Sequence, residues 1–176
     1  MSSIINIKIS KSNILSDLII FHPSANQDLR GNIFTSYSED LYRPHLPANI
    51  IFKHDKFSQS KKNVLRGLHG DNKTWKLISC VYGEIFQVVM DYRPKSRTYL
   101  KWDKFLLNDK NNNQILIPPN FVNGFLVLSE IAVFHYKLAY EGEYFDTDKQ
   151  FVVKWSDSRL NIPWPISNPI LQDRDK

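Results

Sequence analysis

Along this chain, apolar and polar positions fall in short alternating blocks rather than in helical stripes. Lys76 to Tyr82 and Glu84 to Tyr92 are rich in β-branched and aromatic residues and read as strands, with Gly83 between them as a bend or bulge. After the turn-like run Arg93-Pro94-Lys95-Ser96, a strand is predicted over Tyr99 to Leu107. The polar stretch Leu107 to Gln114 reads as a turn, because Asn and Asp tolerate left-handed backbone angles. Further strands are predicted at Gln114 to Ile117, Gly124 to Leu128 and Ile131 to Tyr140, with Pro118-Pro119-Asn120 as a turn. Helix signals are scarce. Ser36 to Tyr42 predicts one short helix or turn, and Pro163 and Pro165 preclude a regular helix around Trp164. The final segment, Pro169 to Lys176, is expected to fold back over the body. Short strands at regular spacing with turns between them predict a sandwich or barrel. The expected fold is an all-β double-sheet jelly roll with few short helices.

At 176 residues, one domain spanning 1–176 is expected. A 42% hydrophobic composition is enough for a real core. No internal repeat or low-complexity linker interrupts it. The net charge of +5 favours anionic partners, but the cations are scattered, so nucleic acid is not expected. A pyrophosphate ligand and a plain solvated surface both fit that charge. Cys80 is the only cysteine, which rules out an intrachain disulfide and suits a reducing cytoplasm. Its apolar surroundings predict a buried small hydrophobe. Met1 to Ile5 does not read as a signal peptide, and no apolar run is long enough to predict a membrane span.

Three segments carry candidate chemistry. In Val64-Leu65-Arg66-Gly67-Leu68-His69, Gly67 can bend a strand and let Arg66 and His69 reach one cavity. His69 is then either a proton-transfer group or a histidine that only packs. In Ile131 to Tyr140, alternation puts Ala132, Phe134, Tyr136 and Leu138 on one face and Val133, His135 and Lys137 on the other. Tyr136 is expected inside and His135 exposed. Lys76 shares a face with Ile78 and Cys80, so it either snorkels outward or reaches inward to hold an anion. The five histidines are His22, His45, His54, His69 and His135, no two of them within four residues of each other, so no metal site or other cofactor is expected.

Several segments together resemble the dTDP-4-dehydrorhamnose 3,5-epimerase family. They are Asp28 to Phe34, Ser60 to His69, Val81 to Val88, Ile117 to Leu128, Trp155 to Asp157, Ile162 to Pro165 and Pro169 to Asp175, in that order. The resemblance implies a cupin jelly roll that works without metal on a nucleotide-diphosphate 4-keto sugar. A base removes a proton beside the ketone, an enolate forms, and an acid returns a proton to the opposite face. It implies His69 as the base, Asp175 as its supporting carboxylate (with Asp173 the alternative two residues away), Tyr136 as the proton donor and Lys76 beside the oxyanion. Arg66 and Arg30 match contacts to the diphosphate, and Arg174 falls among the substrate-binding positions. It also implies a homodimer in which N-terminal strands cross between subunits.

Three departures from the family pattern stand out. Asn123 replaces the usual His before the Gly-Phe pair, and it can hydrogen-bond but not carry a proton. His54-Asp55-Lys56 replaces Gln-Asp-Asn at positions near the nucleotide, so His54 and Lys56 are candidate contacts there. The segment Ala139 to Phe145 departs from the usual Tyr-Tyr loop and leaves Tyr140 and Tyr144 as candidates. These departures resemble epimerases that act on GDP-linked 4-keto-heptoses in bacterial capsule synthesis. A 3,4-ketoisomerase and a non-catalytic sugar-nucleotide-binding cupin are the rival readings.

Overall fold

The computed structural model describes residues 7–176; the Met1 to Ile5 stretch read above for a targeting signal lies outside them. In chain order come β1 (Ile7–Lys11), β2 (Ile19–Pro23), β3 (Asn26–Asp28) and β4 (Gly31–Ile33), then the helix α1 (Glu39–Tyr42) and a 3-10 turn (Arg43–His45). They are followed by β5 (Phe52–Lys61), β6 (Leu65–Gly70), β7 (Trp75–Tyr82), β8 (Glu84–Asp91) and β9 (Trp102–Asn108). The last strands are β10 (Gln114–Ile117), β11 (Phe121–Val127), β12 (Ile131–Ala139) and β13 (Phe151–Val152). Short 3-10 turns at Thr147–Lys149 and Asp173–Asp175 complete the set.

A six-stranded sheet runs β1-β2-β10-β7-β12-β5, and a five-stranded sheet runs β13-β6-β11-β8-β9. The expected all-β jelly roll is therefore observed. The main core lies between the sheets. Ile20, Ile78, Cys80, Ile115, Ala132 and Phe134 meet Ile85, Val89, Leu107, Phe121, Phe125 and Val127 there. Both sheets are also covered outside. Tyr42, Leu46 and Ile50 pack on Phe21, Leu77 and Leu116 of the large sheet. Val153, Leu160 and Trp164 pack on Leu68, Val88 and Met90 of the small one. Central strands are thus buried on both faces, which is why they read as nearly continuous apolar runs. The C-terminal tail does fold back: Ile170 bridges to Val64 and accepts from the Leu65 N–H. Cys80 is buried, and burial pushes its thiol up to about 11.

Three expectations are corrected. The strand predicted from Tyr99 begins at Trp102, because Arg93 to Lys101 forms a chain of turns around the buried Asp91 carboxylate. The strands β1 to β5 and β13 fall outside the predicted set: β3, β4 and β13 span only two or three residues and β5 is largely polar, whereas β2 carries a plain apolar run in Ile19-Ile20-Phe21. His135, expected exposed, is buried on the outer face of the large sheet. Phe57 on the neighbouring strand stacks over its ring at 4.6 Å and shields it from water.

Candidate active site

Between the sheets at one end opens a cavity of about 270 Å³. Arg66, His69, Lys76, Asn123, Tyr136, Lys56 and Arg174 all line it. Arg66 and His69 can share it because β6 is irregular. Gly67 has φ +120°, and a Cβ there would meet Gly124 Cα at 2.5 Å. The β6–β11 register shifts at the same place, between Asn123 and Phe125. This close backbone approach brings two side chains three residues apart to one wall.

His69 Nε2 lies 2.6 Å from Oδ1 of Asp175, whose side chain is fully buried. Asp173 instead points to solvent and pairs with Lys176, so of the two tail carboxylates it is Asp175 that meets His69. Arg174 Nε also approaches His69 Nε2, at 3.2 Å. An ionised carboxylate has no proton to give, so Nε2 must carry the hydrogen and donate it to Asp175. Arg174 is then a neighbouring charge, and the lone pair on Nδ1 is the basic one. Arg174 also donates Nη2–H to Gln150 Oε1 at 3.2 Å, tying the tail to the loop before β13.

From the large sheet, Tyr136 enters the cavity on β12, edge-on to Phe134 at 4.4 Å. Burial raises its hydroxyl pKa, while the nearby Ser58 side chain and the charge of Arg66 oppose the rise. Lys76, on β7, reaches inward. Its Nζ donates to Asn123 Oδ1 at 3.1 Å and to the His69 carbonyl at 3.2 Å. Burial lowers its pKa to about 8, with Asp71 opposing and Arg174 adding to the fall. Lys is a donor only, so Asn123 must turn its carbonyl to Lys76 and leave its amide N–H groups for the cavity. Arg66 is anchored by donating Nε–H to Ser60 Oγ at 3.0 Å.

At the mouth, Lys56 donates to Tyr144 Oη at 3.3 Å. His54 is not in the cavity wall; it packs edge-on to Tyr144 at 4.8 Å. Arg30 is not brought to this cavity either. It sits exposed on the β3-β4 ribbon, paired with Asp28. Asp71, Thr74, Gln150 and Gln172 also line the cavity and were missed in the sequence. Only Asp71, two residues after His69, offered a signal. Among the described residues, no three His, Cys, Asp or Glu side chains cluster as metal ligands would. No helix among them is long and apolar enough to cross a membrane.

A partly buried histidine on a buried carboxylate faces a partly buried phenol across a cavity that a buried ammonium also lines. Such a set can take a proton from carbon, stabilise the resulting oxyanion and return a proton from the other side. Together with the double sheet, it defines a cupin-type enzyme of the isomerase class. Residues 12–176 match the dTDP-4-dehydrorhamnose 3,5-epimerase family. The enzyme of that name from Shigella flexneri is 37% identical, over 92% of this chain and 89% of its own. The epimerase from Legionella pneumophila, solved in complex with dTDP-4-keto-L-rhamnose, superposes with a TM-score of 0.88 at 34% identity, covering 97% of this chain and 90% of that one. The Bacillus anthracis enzyme, with TDP and pyrophosphate bound, gives 0.86 at 32% identity and covers 97% of both chains. The chain belongs to the dTDP-4-dehydrorhamnose 3,5-epimerase family and is an epimerase of nucleotide-linked 4-keto sugars.

Proposed function

We propose that this chain, acting as one domain in the cytoplasm, inverts carbon 3, and carbon 5 as well, of a GDP-linked 4-keto-heptose made for bacterial capsule. His69 takes the proton from carbon 3, and the C–H electron pair becomes the C3–C4 double bond of an enolate. Lys76 and the Asn123 amide hold the negative oxygen on carbon 4. Tyr136 then gives its proton to the opposite face of carbon 3, and solvent restores both groups. The same sequence at carbon 5 completes the second inversion. The observation that carries this reading is the pairing of His69 with buried Asp175 on one wall while Tyr136 stands on the other.

Arg66 and Arg174 suit the diphosphate, since a guanidinium makes bidentate contacts to phosphate oxygens. Arg30 serves the same group in a partner's cavity, in a homodimer whose N-terminal ribbon crosses between subunits. Its exposure on a ribbon where Leu29 and Ile33 are also bare supports that arrangement. The relatives named above are thymidine-nucleotide enzymes. The guanine and heptose reading rests instead on Asn123 and on the His54, Lys56 and Tyr144 cluster at the mouth.

Proton NMR of GDP- and dTDP-linked 4-keto sugars in heavy water tests both levels. Deuterium entering carbons 3 and 5 of the GDP-linked heptose, with inverted product, is expected. Exchange with the dTDP-linked hexose alone would discard the guanine and heptose reading. Tyr136→Phe is expected to keep hydrogen exchange better than full inversion, because it removes only the returning acid.

A further inference from the structure

The turn between β6 and β7 holds polar groups that the proton transfer does not use. Asp71 and Thr74 lie on it, each 2% exposed. Both line the cavity. Asp71 Oδ1 accepts the backbone N–H of Lys73 at 3.0 Å and of Thr74 at 2.7 Å, so this oxygen closes the turn. The other oxygen, Oδ2, has no hydrogen-bond partner among the described residues, and no cation there lies within ion-pair distance. Thr74 Oγ1 is buried without a partner. Buried polar groups are nearly always satisfied. A buried hydroxyl with no partner beside an uncommitted carboxylate oxygen, both at the cavity wall, calls for a ligand.

Their chemistry says which ligand. A carboxylate oxygen only accepts, and a threonine hydroxyl both donates and accepts. An alcohol satisfies both at once, giving its proton to Oδ2 and receiving one from Oγ1. We infer that Asp71 and Thr74 form a subsite for one sugar hydroxyl beside the carbon 4 oxygen, and that the enzyme selects sugars by that hydroxyl. The inference rests on the epimerase reading, which sets Lys76, two residues after Thr74, against the carbon 4 oxygen. Carbon 4 is flanked by carbon 3 with its hydroxyl and by carbon 5 with its exocyclic chain, so the hydroxyl comes from one of these two places. A sugar lacking it leaves the buried Thr74 hydroxyl unpaired, the condition under which a site discriminates strongly.

Hydrogen exchange in heavy water, measured as kcat/KM, tests the subsite. The panel is a 4-keto-6-deoxyhexose, its 3-deoxy analogue and its 6-hydroxy analogue, each on GDP and on dTDP. Asp71→Asn keeps an oxygen to close the turn and removes the charge; Thr74→Val keeps the volume. The wild type is expected to favour the sugar bearing the critical hydroxyl by about 10- to 100-fold, the worth of a hydrogen bond to a charged group. Both variants should erase that preference: Thr74→Val by slowing on that sugar alone, and Asp71→Asn by slowing on it more than on the others, because it also removes a charge that supports the Lys76 ammonium. Favouring the 6-hydroxy sugar assigns the exocyclic chain, and loss with the 3-deoxy sugar assigns carbon 3. Equal slowing on every sugar by Thr74→Val would reduce the pair to turn residues and overturn the subsite. Exchange without discrimination by the wild type overturns it too, while leaving epimerisation intact. No exchange with any sugar overturns the epimerase reading and the subsite with it.

Discussion

Two histidine–aspartate pairs of nearly equal geometry stand in this molecule. His69 Nε2 is 2.6 Å from Asp175 Oδ1, and His135 Nε2 is 2.7 Å from Asp55 Oδ1. Their settings differ. The Asp175 side chain is fully buried while that of Asp55 is 46% exposed. Lys137 already holds the second Asp55 oxygen at 2.8 Å, and Phe57 covers the face of the His135 ring. His69 opens onto a cavity with a phenol on the far wall and an ammonium between. The pair alone is therefore not the functional unit. A base becomes useful where a substrate can reach its free nitrogen, where water is excluded, and where an acid waits opposite.

The largest expected effect breaks the inner pair. His69→Ala should lower kcat by about a thousandfold or more, within the range for a general base. Nucleotide-sugar affinity, followed by calorimetry, should stay within about threefold. Near-normal turnover would show that the base is misassigned.

A smaller effect comes from pH and sharpens the contrast, because the inner site holds a buried ammonium. The Lys76 pKa of about 8 in the folded chain lies below its ordinary 10.5. Activity should therefore fall by about tenfold per pH unit once the ammonium is lost above that value. Stability should move the other way. Between the two values the unfolded chain binds more protons, so this group's contribution to folding stability rises with pH there. A kcat profile flat to pH 10 would count against Lys76 as the oxyanion's partner. The smallest effect is at the outer pair. His135→Ala should change kcat by less than about twofold and stability by about 1 kcal/mol, since its partner is half-exposed and screened by solvent. A large loss of activity would mean that the outer pair communicates with the cavity.

Legibility followed burial in all but β2, which is buried and apolar yet falls outside the predicted set. The strands β8, β10 and β12 announced themselves because their faces pack into apolar layers. In β12 the alternation also put Tyr136 on the inner face correctly. The edge strand β5 escaped notice because its inward positions are His54, Lys56, Ser58 and Ser60. Of these, Lys56 and Ser58 line the cavity, and polar residues lining a binding site look like a loop when read along the chain. His135 was misjudged for a related reason. Alternation tells which face a residue takes, but not what the neighbouring strand lays over it.

By itself the sequence determined the class of fold, the bend at Gly67 that lets Arg66 and His69 serve one cavity, and the family. These depend on local propensity, on short spacings and on an ordered set of segments. Only the tertiary structure decided that Asp175 rather than Asp173 meets His69, that Lys76 turns inward to Asn123, that Arg30 lies outside this chain's own cavity, and that the Thr74 hydroxyl is left unpaired at its wall. Each of these is a contact between segments far apart in the chain or a matter of what burial leaves unsatisfied. Distances of that kind are set by how the two sheets pack, and no spacing along the chain encodes them.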